Sequence, residues 1–250
     1  MENRGFLVSY NPRWGSGVAV QPYDEADDTG IDNPMPVGLS DGAERATAQP
    51  TGFYARYGKR AFDILFASAF LVGAAIWLFP LIVLAIRLES RGPALFRQRR
   101  IGLNGVPFNC LKFRTMVHAP DAPFQQAQQN DPRVTRVGRF LRRHNLDELP
   151  QFFNVLIGEM SVVGPRPHVA ALDDLYSSRL PGYCNRNLVP PGVTGLAQIS
   201  GHRGETRTLR EMAQRVRLDL FYVRRYTLAL DIRTIFATIR RGIEGDDKAY

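Results

Sequence analysis

Cysteine is scarce in this chain: Cys110 and Cys184 are the two in 250 residues, isolated from each other and outside any metal-ligand spacing. No secretory leader is recognised, so a disulfide framework is excluded and both are expected as free thiols on the cytoplasmic side. Histidine is thin as well. His118, His144, His168 and His202 are dispersed without paired zinc spacing and receive no metal role. A nucleotide-binding βαβ pattern with its glycine-rich turn is missing. Charge is absent altogether from Ile64 to Ile86, a gap set inside a basic chain.

The net charge of +8 is unevenly divided. Residues 1–58 hold four arginines and no lysine against eight acidic residues, a balance of −4, which leaves +12 for everything after them. A basic body calls for a polyanionic partner: nucleic acid, anionic lipid or a phosphorylated substrate. The first 58 residues combine Pro and Gly clusters with acidic runs such as Asp24-Glu25 and Asp27-Asp28 and have no sustained apolar period. They are assigned to a disordered acidic tail.

The uncharged run is long enough, at roughly 20 residues, to cross a bilayer. Its flanks argue otherwise. Lys59 and Arg60 precede it, Arg87, Arg91, Arg97, Arg99 and Arg100 follow it, and positive residues stay in the cytoplasm. Pro80 breaks the helix in its second half. A re-entrant helix that enters and leaves through one leaflet is preferred over a straight span and over a buried helix of a soluble core.

Ala94 to Ile101 and Val106 to Phe113, joined at Asn104-Gly105, read as a β-hairpin with a type I′ turn. The hairpin carries Arg97, Arg99, Arg100, Lys112 and Arg114, more cation than solubility requires. Residues 119–130 are rich in Pro and Gln and read as a loop. A short helix from Val137 to His144 brings Arg139, Arg142 and Arg143 toward an acidic pair. The C-terminal part reads as two helices, Met212 to Tyr226 and then Leu228 to Gly242, basic and amphipathic, of the kind that lie on membranes or pack on a core.

The acidic pair, Asp147-Glu148, opens the stretch from Asn145 to Met160. Leu149, Phe152, Phe153, Leu156 and Met160 recur at helical spacing as an apolar face, with Asp147, Gln151 and Asn154 opposite. Pro150 fits only in a first turn, which places Asp147 at or next to the N-cap, where the helix dipole favours its ionised form. Helix neighbours point about 100° apart, so the two carboxylates are expected to do different jobs. Asn145 with Glu148 three residues on is equally a capping box, an ordinary structural reading. Farther along, Arg166 is fixed between Pro165 and Pro167, and Arg203 lies among glycines in a loop where backbone can approach a phosphate closely.

KRAFD at 59–63, FRQRRIG at 96–102, LKFRTM at 111–116, DPRVT at 131–135, LDELPQ at 146–151, NVLIGEMSVVGPRP at 154–167 and PGVTGLAQISG at 191–201 resemble the bacterial sugar transferases. These are monotopic phosphoglycosyl transferases that start exopolysaccharide or glycoconjugate assembly, and the resemblance covers residues 59–242. It implies transfer of a sugar-1-phosphate, glucose or galactose, from a UDP-sugar to undecaprenyl phosphate with release of UMP. It implies Asp147 as the nucleophile that forms an aspartyl phosphosugar, Glu148 as its partner, and Mg²⁺ as cofactor with Asp147 as a ligand. Phosphate and substrate contacts are implied for Lys112, Arg114, Arg142, Arg166 and Arg203, with a further acidic position at Asp231.

The fold so implied is α+β and mainly helical, with an N-terminal re-entrant membrane helix, a small β-hairpin and amphipathic interfacial helices. Residues 1–58 form the tail, 59–90 the membrane helix, 91–242 the cytoplasmic catalytic domain and 243–250 a C-terminal tail. The expected place is the cytoplasmic face of the bacterial inner membrane. UDP-sugar, undecaprenyl phosphate and the bilayer are the expected partners, nucleic acid is not, and a homodimer is left open. Two departures from the family pattern stand out: Phe79-Pro80 replaces the usual Ser-Pro at the break, and Pro190 replaces a basic residue. Longer members carry an N-terminal block of membrane spans, for which an acidic tail is no substitute.

Two rivals are kept. One is a membrane-tethered basic protein that binds nucleic acid or anionic lipid without turnover and has no special use for Asp147. The other is a conventional glycosyltransferase that releases UDP, which needs the missing βαβ pattern. A carboxylate attacking a diphosphate meets repulsion on the order of 4 kcal/mol per unit charge at about 4 Å, so that chemistry requires the cations this sequence supplies.

Overall fold

The computed structural model describes residues 50, 52–117, 131–202, 204, 206 and 208–245. The acidic runs of the tail, the Pro- and Gln-rich stretch 119–130 and residues 246–250 lie outside the described residues.

The uncharged run folds as part of one long helix, α1, Tyr54–Glu89, the one helix among the described residues that is long and apolar enough to cross a membrane. It begins before Lys59, inside the stretch assigned to the tail. Its α-helical segments Lys59–Phe70 and Ile76–Glu89 are joined by a wider π turn, Leu71–Ala75. Pro80 sits within the second segment, and the irregular turn comes earlier than the expected Phe79-Pro80 step. It ends immediately before Ile76, the residue whose carbonyl Pro80, having no N–H, cannot serve.

Both ends of α1 are fastened to the rest of the chain. Near the start, Lys59 Nζ lies 2.7 Å from Asp231 and 3.2 Å from Asp63. At the other end the Glu89 carboxylate accepts from the backbone N–H groups of Arg136 at 2.6 Å and Val137 at 2.9 Å. Between these anchors Val72, Ile76 and Trp77 are exposed, while Phe70 packs on Phe152 and Phe79 on Phe113 and Phe153.

Strands β1, Leu95–Ile101, and β2, Pro107–Phe113, pair antiparallel, with Leu95 opposite Phe113 and Ile101 opposite Pro107. Asn104 at φ 54° and Gly105 at φ 76° sit at the turn, and the Val106 N–H closes on the Leu103 carbonyl at 3.0 Å. This is the type I′ pairing the sequence predicts. Helix α2, Arg136–Arg143, is capped by the Thr135 hydroxyl, which accepts from the Gly138 N–H. A Cβ on Gly138 would stand 2.0 Å from the Thr115 carbonyl oxygen, so glycine alone lets α2 lie this close to the end of the hairpin.

The central stretch departs from its predicted helix in two ways. Asn145 takes a left-handed conformation at φ 63° with no side-chain cap bond, and Asp147 and Glu148 fall in a 3₁₀ turn, Leu146–Glu148. The α-helix proper, α3, is Gln151–Ile157. Asp147 is therefore neither the N-cap of α3 nor inside it, and the capping box does not form. Pro150 is again the cause: it cannot donate to Leu146, so the chain tightens and the Leu149 N–H bonds that carbonyl at 3.3 Å instead. The predicted apolar face holds at Phe152 and Met160, both in the core, but the predicted polar face is buried as well. Gln151 and Asn154 are buried at 2% and 1% exposure, whereas Phe153 and Ile157 are exposed at 45% and 69%.

Asn154 is buried because its amide accepts from the Leu111 N–H at 3.0 Å and donates to the Asn109 carbonyl at 2.8 Å, completing the open edge of β2.

A second, parallel pair joins β3, Ser161–Val163, to β4, Gly192–Thr194. Between them lie α4, Ala170–Ser177, and a 3₁₀ segment, Tyr183–Leu188. A short α5, Leu196–Ile199, precedes α6, Leu209–Arg225, and α7, Leu228–Glu244, which runs past the Gly242 end the sequence suggested. The main core gathers Val155, Met160, Val162, Val163, Tyr222 and Val223 and is covered by Phe62, Phe66 and Phe70 of α1. A second core lies between α4 and α6, and a third joins Ile82 and Ile86 of α1 to Phe113 and Leu141. The architecture is mostly helical with small two-stranded sheets.

Candidate active site

The 3₁₀ turn that carries Asp147 and Glu148 sits between β2 and α3, and both carboxylates are buried, at 7% and 5% exposure. Burying two acids is costly unless cations or hydrogen bonds receive them. Lys112 of β2 reaches Glu148 Oε1 at 2.8 Å. Arg166 forks onto the same carboxylate, with Nη2 at 2.7 Å from Oε1 and Nη1 at 3.2 Å from Oε2. Arg142, one turn beyond Gly138 on α2, donates to the Thr115 hydroxyl at 2.8 Å and feels the Asp147 charge.

These cations do not behave alike. Burial pulls Lys112 below its ordinary value despite the opposing pull of Glu148, and burial likewise lowers Arg142. Burial acts on Arg166 in the same sense, but the charge and hydrogen bonds of Glu148 outweigh it and hold that guanidinium above its ordinary value. The Glu148–Arg166 pair is thus the fixed element of the site.

The structure brings Lys112, Arg142 and Arg166 to the acidic pair. Two predicted residues are used elsewhere. Arg114 donates to the carbonyls of Ser90 and Arg91, both at 2.7 Å, and so ties the hairpin to the end of α1. Asp231, fully buried, accepts from Tyr54, from Lys59 and from Tyr222 at 2.6, 2.7 and 2.8 Å, which locks the other end of α1 to α6 and α7. Arg203 lies outside the described residues. Of the five hairpin cations, Arg100, Lys112 and Arg114 turn inward onto protein groups. Cys110 is buried and Cys184 exposed, and both are free thiols as expected.

Sequence reading missed the support behind Arg166. Arg100 donates to the Pro167 carbonyl and Arg186 to the Arg166 carbonyl, so two guanidiniums hold the Pro165–Pro167 segment by its backbone. Arg186 is 1% exposed and pairs with Asp219 of α6 at 2.8 Å. The His168 Nδ1 meets both Tyr183 and Arg186, and burial followed by the Arg186 charge holds its pKa well below 6.5. The signal available in the sequence was Arg100 in FRQRRIG; nothing in local pattern marked Arg186 or Asp219.

Two adjacent buried carboxylates, one clamped by a forked Arg, thus lie in the same body as an apolar helix long enough to cross a membrane. The pattern of the bacterial sugar transferase family matches residues 54–245, and the chain belongs to that family. It is 48% identical over 209 residues to a UDP-glucose:undecaprenyl-phosphate glucose-1-phosphate transferase of Caulobacter vibrioides, covering 82% of this chain and 78% of that protein. A protein of the same description from Escherichia coli strain K12 is 51% identical over 185 residues, 74% of this chain and 40% of its own length. The exopolysaccharide production protein PSS of Rhizobium leguminosarum is 45% identical over 187 residues, 72% of this chain and 92% of that one.

Proposed function

We propose that this chain transfers glucose-1-phosphate from UDP-glucose to undecaprenyl phosphate, releasing UMP, as the first membrane step of exopolysaccharide synthesis. The carrying observation is the buried Asp147-Glu148 pair held among Lys112, Arg142 and Arg166. The relatives named for UDP-glucose support that donor. In the reaction, a carboxylate oxygen of Asp147 attacks the phosphorus that bears glucose, and the bond from that phosphorus to the bridging oxygen breaks. UMP departs with the oxygen, leaving an aspartyl phosphoglucose. A phosphate oxygen of the lipid then attacks the same phosphorus and returns the Asp147 carboxylate. Glu148 keeps Lys112 and Arg166 in place, and these with Arg142 offset the charge of the donor diphosphate.

Among the described residues no group of three or more His, Cys, Asp or Glu forms a metal cage. Oxygen donors at Asp147 nevertheless fit Mg²⁺, which is commonly bound by one or two carboxylates together with substrate phosphates. Asp147 is the residue that would hold it, and when bound the ion supplies charge neutralisation at the diphosphate.

Both fastened ends of α1 support a re-entrant, monotopic placement on the cytoplasmic face: a helix whose two ends reach the same body returns to the side it came from, and its cations agree. The helix spanning Tyr54–Glu89 then forms the membrane unit and the remainder through α7 the catalytic domain. The test is to supply UDP-glucose, undecaprenyl phosphate and Mg²⁺ and identify the nucleotide released. UMP, loss of turnover in EDTA and a phosphoglucose mass on the peptide bearing Asp147 are expected. UDP as product, or an Asp147→Asn protein as active as the parent, overturns the mechanism.

A further inference from the structure

The end of α1 meets the cations of the acidic pair through a three-sided joint. Arg114, directly after β2 and two residues beyond Lys112, donates to the Ser90 and Arg91 carbonyls, both at 2.7 Å, and to the Ser90 hydroxyl at 3.0 Å. Glu89, the last residue of α1, takes the first two N–H groups of α2, Arg136 at 2.6 Å and Val137 at 2.9 Å. Thr115 closes the third side. Its carbonyl accepts from the Thr135 N–H at 3.1 Å, and its hydroxyl accepts from Arg142 Nε at 2.8 Å. Lys112 and Arg142 are thus carried on β2 and α2, and both elements grip residues 89–91.

Helix α2 has particular need of that grip. It is eight residues long, and four of them are arginines, Arg136, Arg139, Arg142 and Arg143, spaced mostly three and four apart. So short a helix is marginal by itself, and like charges at that spacing weaken it further. Its first turn has no acidic residue of its own. Glu89 supplies the missing anion from α1, at the positive end of the helix dipole and on two N–H groups that have no partner within the helix. Glu89 is itself exposed, so burial does not force the contact.

We infer that Glu89 is a positioning residue for the transfer: it fixes α2 against the end of α1 and so sets where the Arg142 guanidinium stands at the acidic pair. This role rests on the proposed use of Arg142 against the donor diphosphate and adds what places it there. Arg142 lies six residues beyond Arg136 on α2, about 9 Å along the helix axis, so a first turn released from Glu89 carries the guanidinium with it when it shifts. Because Arg114 holds the next two residues to β2, Glu89 also fixes the spacing between Arg142 and Lys112.

The test is a double-variant cycle on the full chain in nanodiscs, supplied with UDP-glucose, undecaprenyl phosphate and Mg²⁺. Glu89→Ala is expected to lower kcat/KM for UDP-glucose about tenfold or more. Glu89→Gln, which keeps one acceptor oxygen without the charge, should lose less, and it carries the same cycle if the alanine variant folds poorly. In an Arg142→Ala background, Glu89→Ala should cost almost nothing further, since no guanidinium is left to place. Losses that multiply in the double variant, or a Glu89→Ala protein as active as the parent, overturn the inference. Hydrogen exchange read by mass spectrometry gives a measure that needs no turnover. In Glu89→Ala, exchange should rise in peptides covering 136–143 and stay at the parent level in those covering 95–113. Unchanged exchange in α2, or a rise of equal size in the hairpin, overturns the placement, whereas a parent that releases no UMP sinks the catalytic reading alone.

Discussion

Arg166 forks onto both oxygens of Glu148, at 2.7 and 3.2 Å, while its own main-chain carbonyl is held by Arg186. The fork fixes Glu148 as a partner of the cations, and the proposed mechanism assigns the chemistry to Asp147. Arg166→Lys keeps the charge and loses the planar two-point contact, so kcat/KM for UDP-glucose should fall about 10- to 100-fold. Asp147→Asn should lower kcat about 1000-fold or more with the fold intact by circular dichroism. Comparable losses in both variants would mean that the two residues share one role.

Topology is open to chemical labelling. In a Cys184→Ser background, single cysteines at Gly52 and Arg91, both exposed, flank α1. A membrane-impermeant maleimide should modify neither in intact spheroplasts and both after permeabilisation. Reaction of one of them in intact spheroplasts would establish a straight span.

Asn154 is 1% exposed and serves both Leu111 and Asn109 at the edge of β2. Asn154→Leu leaves a buried N–H and a buried carbonyl unserved, at about 1–3 kcal/mol each. The expected readout is a clear drop in melting temperature together with reduced turnover, since Lys112 is on the same strand.

Arg186→Met strands the Asp219 carboxylate in the interior and should cost about 3–5 kcal/mol of stability. The double variant Arg186→Met, Asp219→Leu should recover much of that loss, yet its kcat should stay low because the Arg166 carbonyl has lost its donor. Full recovery of both stability and kcat would confine Arg186 to packing.

His168 makes stability depend on pH. Its folded pKa is held well below 6.5 by burial and by Arg186, so the folded protein keeps the ring neutral while the unfolded chain takes up a proton. Stability is therefore full above about pH 6.5 and declines as pH falls through that value toward about 5. Melting temperatures measured from about pH 7.5 to 5 should show this slope, and it should flatten in His168→Gln.

Local pattern alone carried a good deal of this protein. An uncharged run flanked by cations, an Asn-Gly turn between two alternating segments and Pro150 beside an acidic pair each act over a few residues, where backbone sterics and hydrophobic period decide the outcome. Thus α1 and the hairpin with its I′ turn followed from local pattern, whereas Lys112, Arg142 and Arg166 beside Asp147-Glu148 were implied by the family resemblance. Tertiary contact decided what lay beyond that range. The burial of Asn154 on α3 was set by the edge of β2, whose backbone groups its amide serves, while Phe152 of the predicted apolar face stayed in the core. Arg114 and Asp231 went to the two ends of α1 because carbonyls at one end and the Lys59 ammonium at the other were waiting there. A periodicity reports which side chains are apolar, whereas the site of a buried charge depends on which distant partner can receive it, and that is known only once the chain has closed on itself.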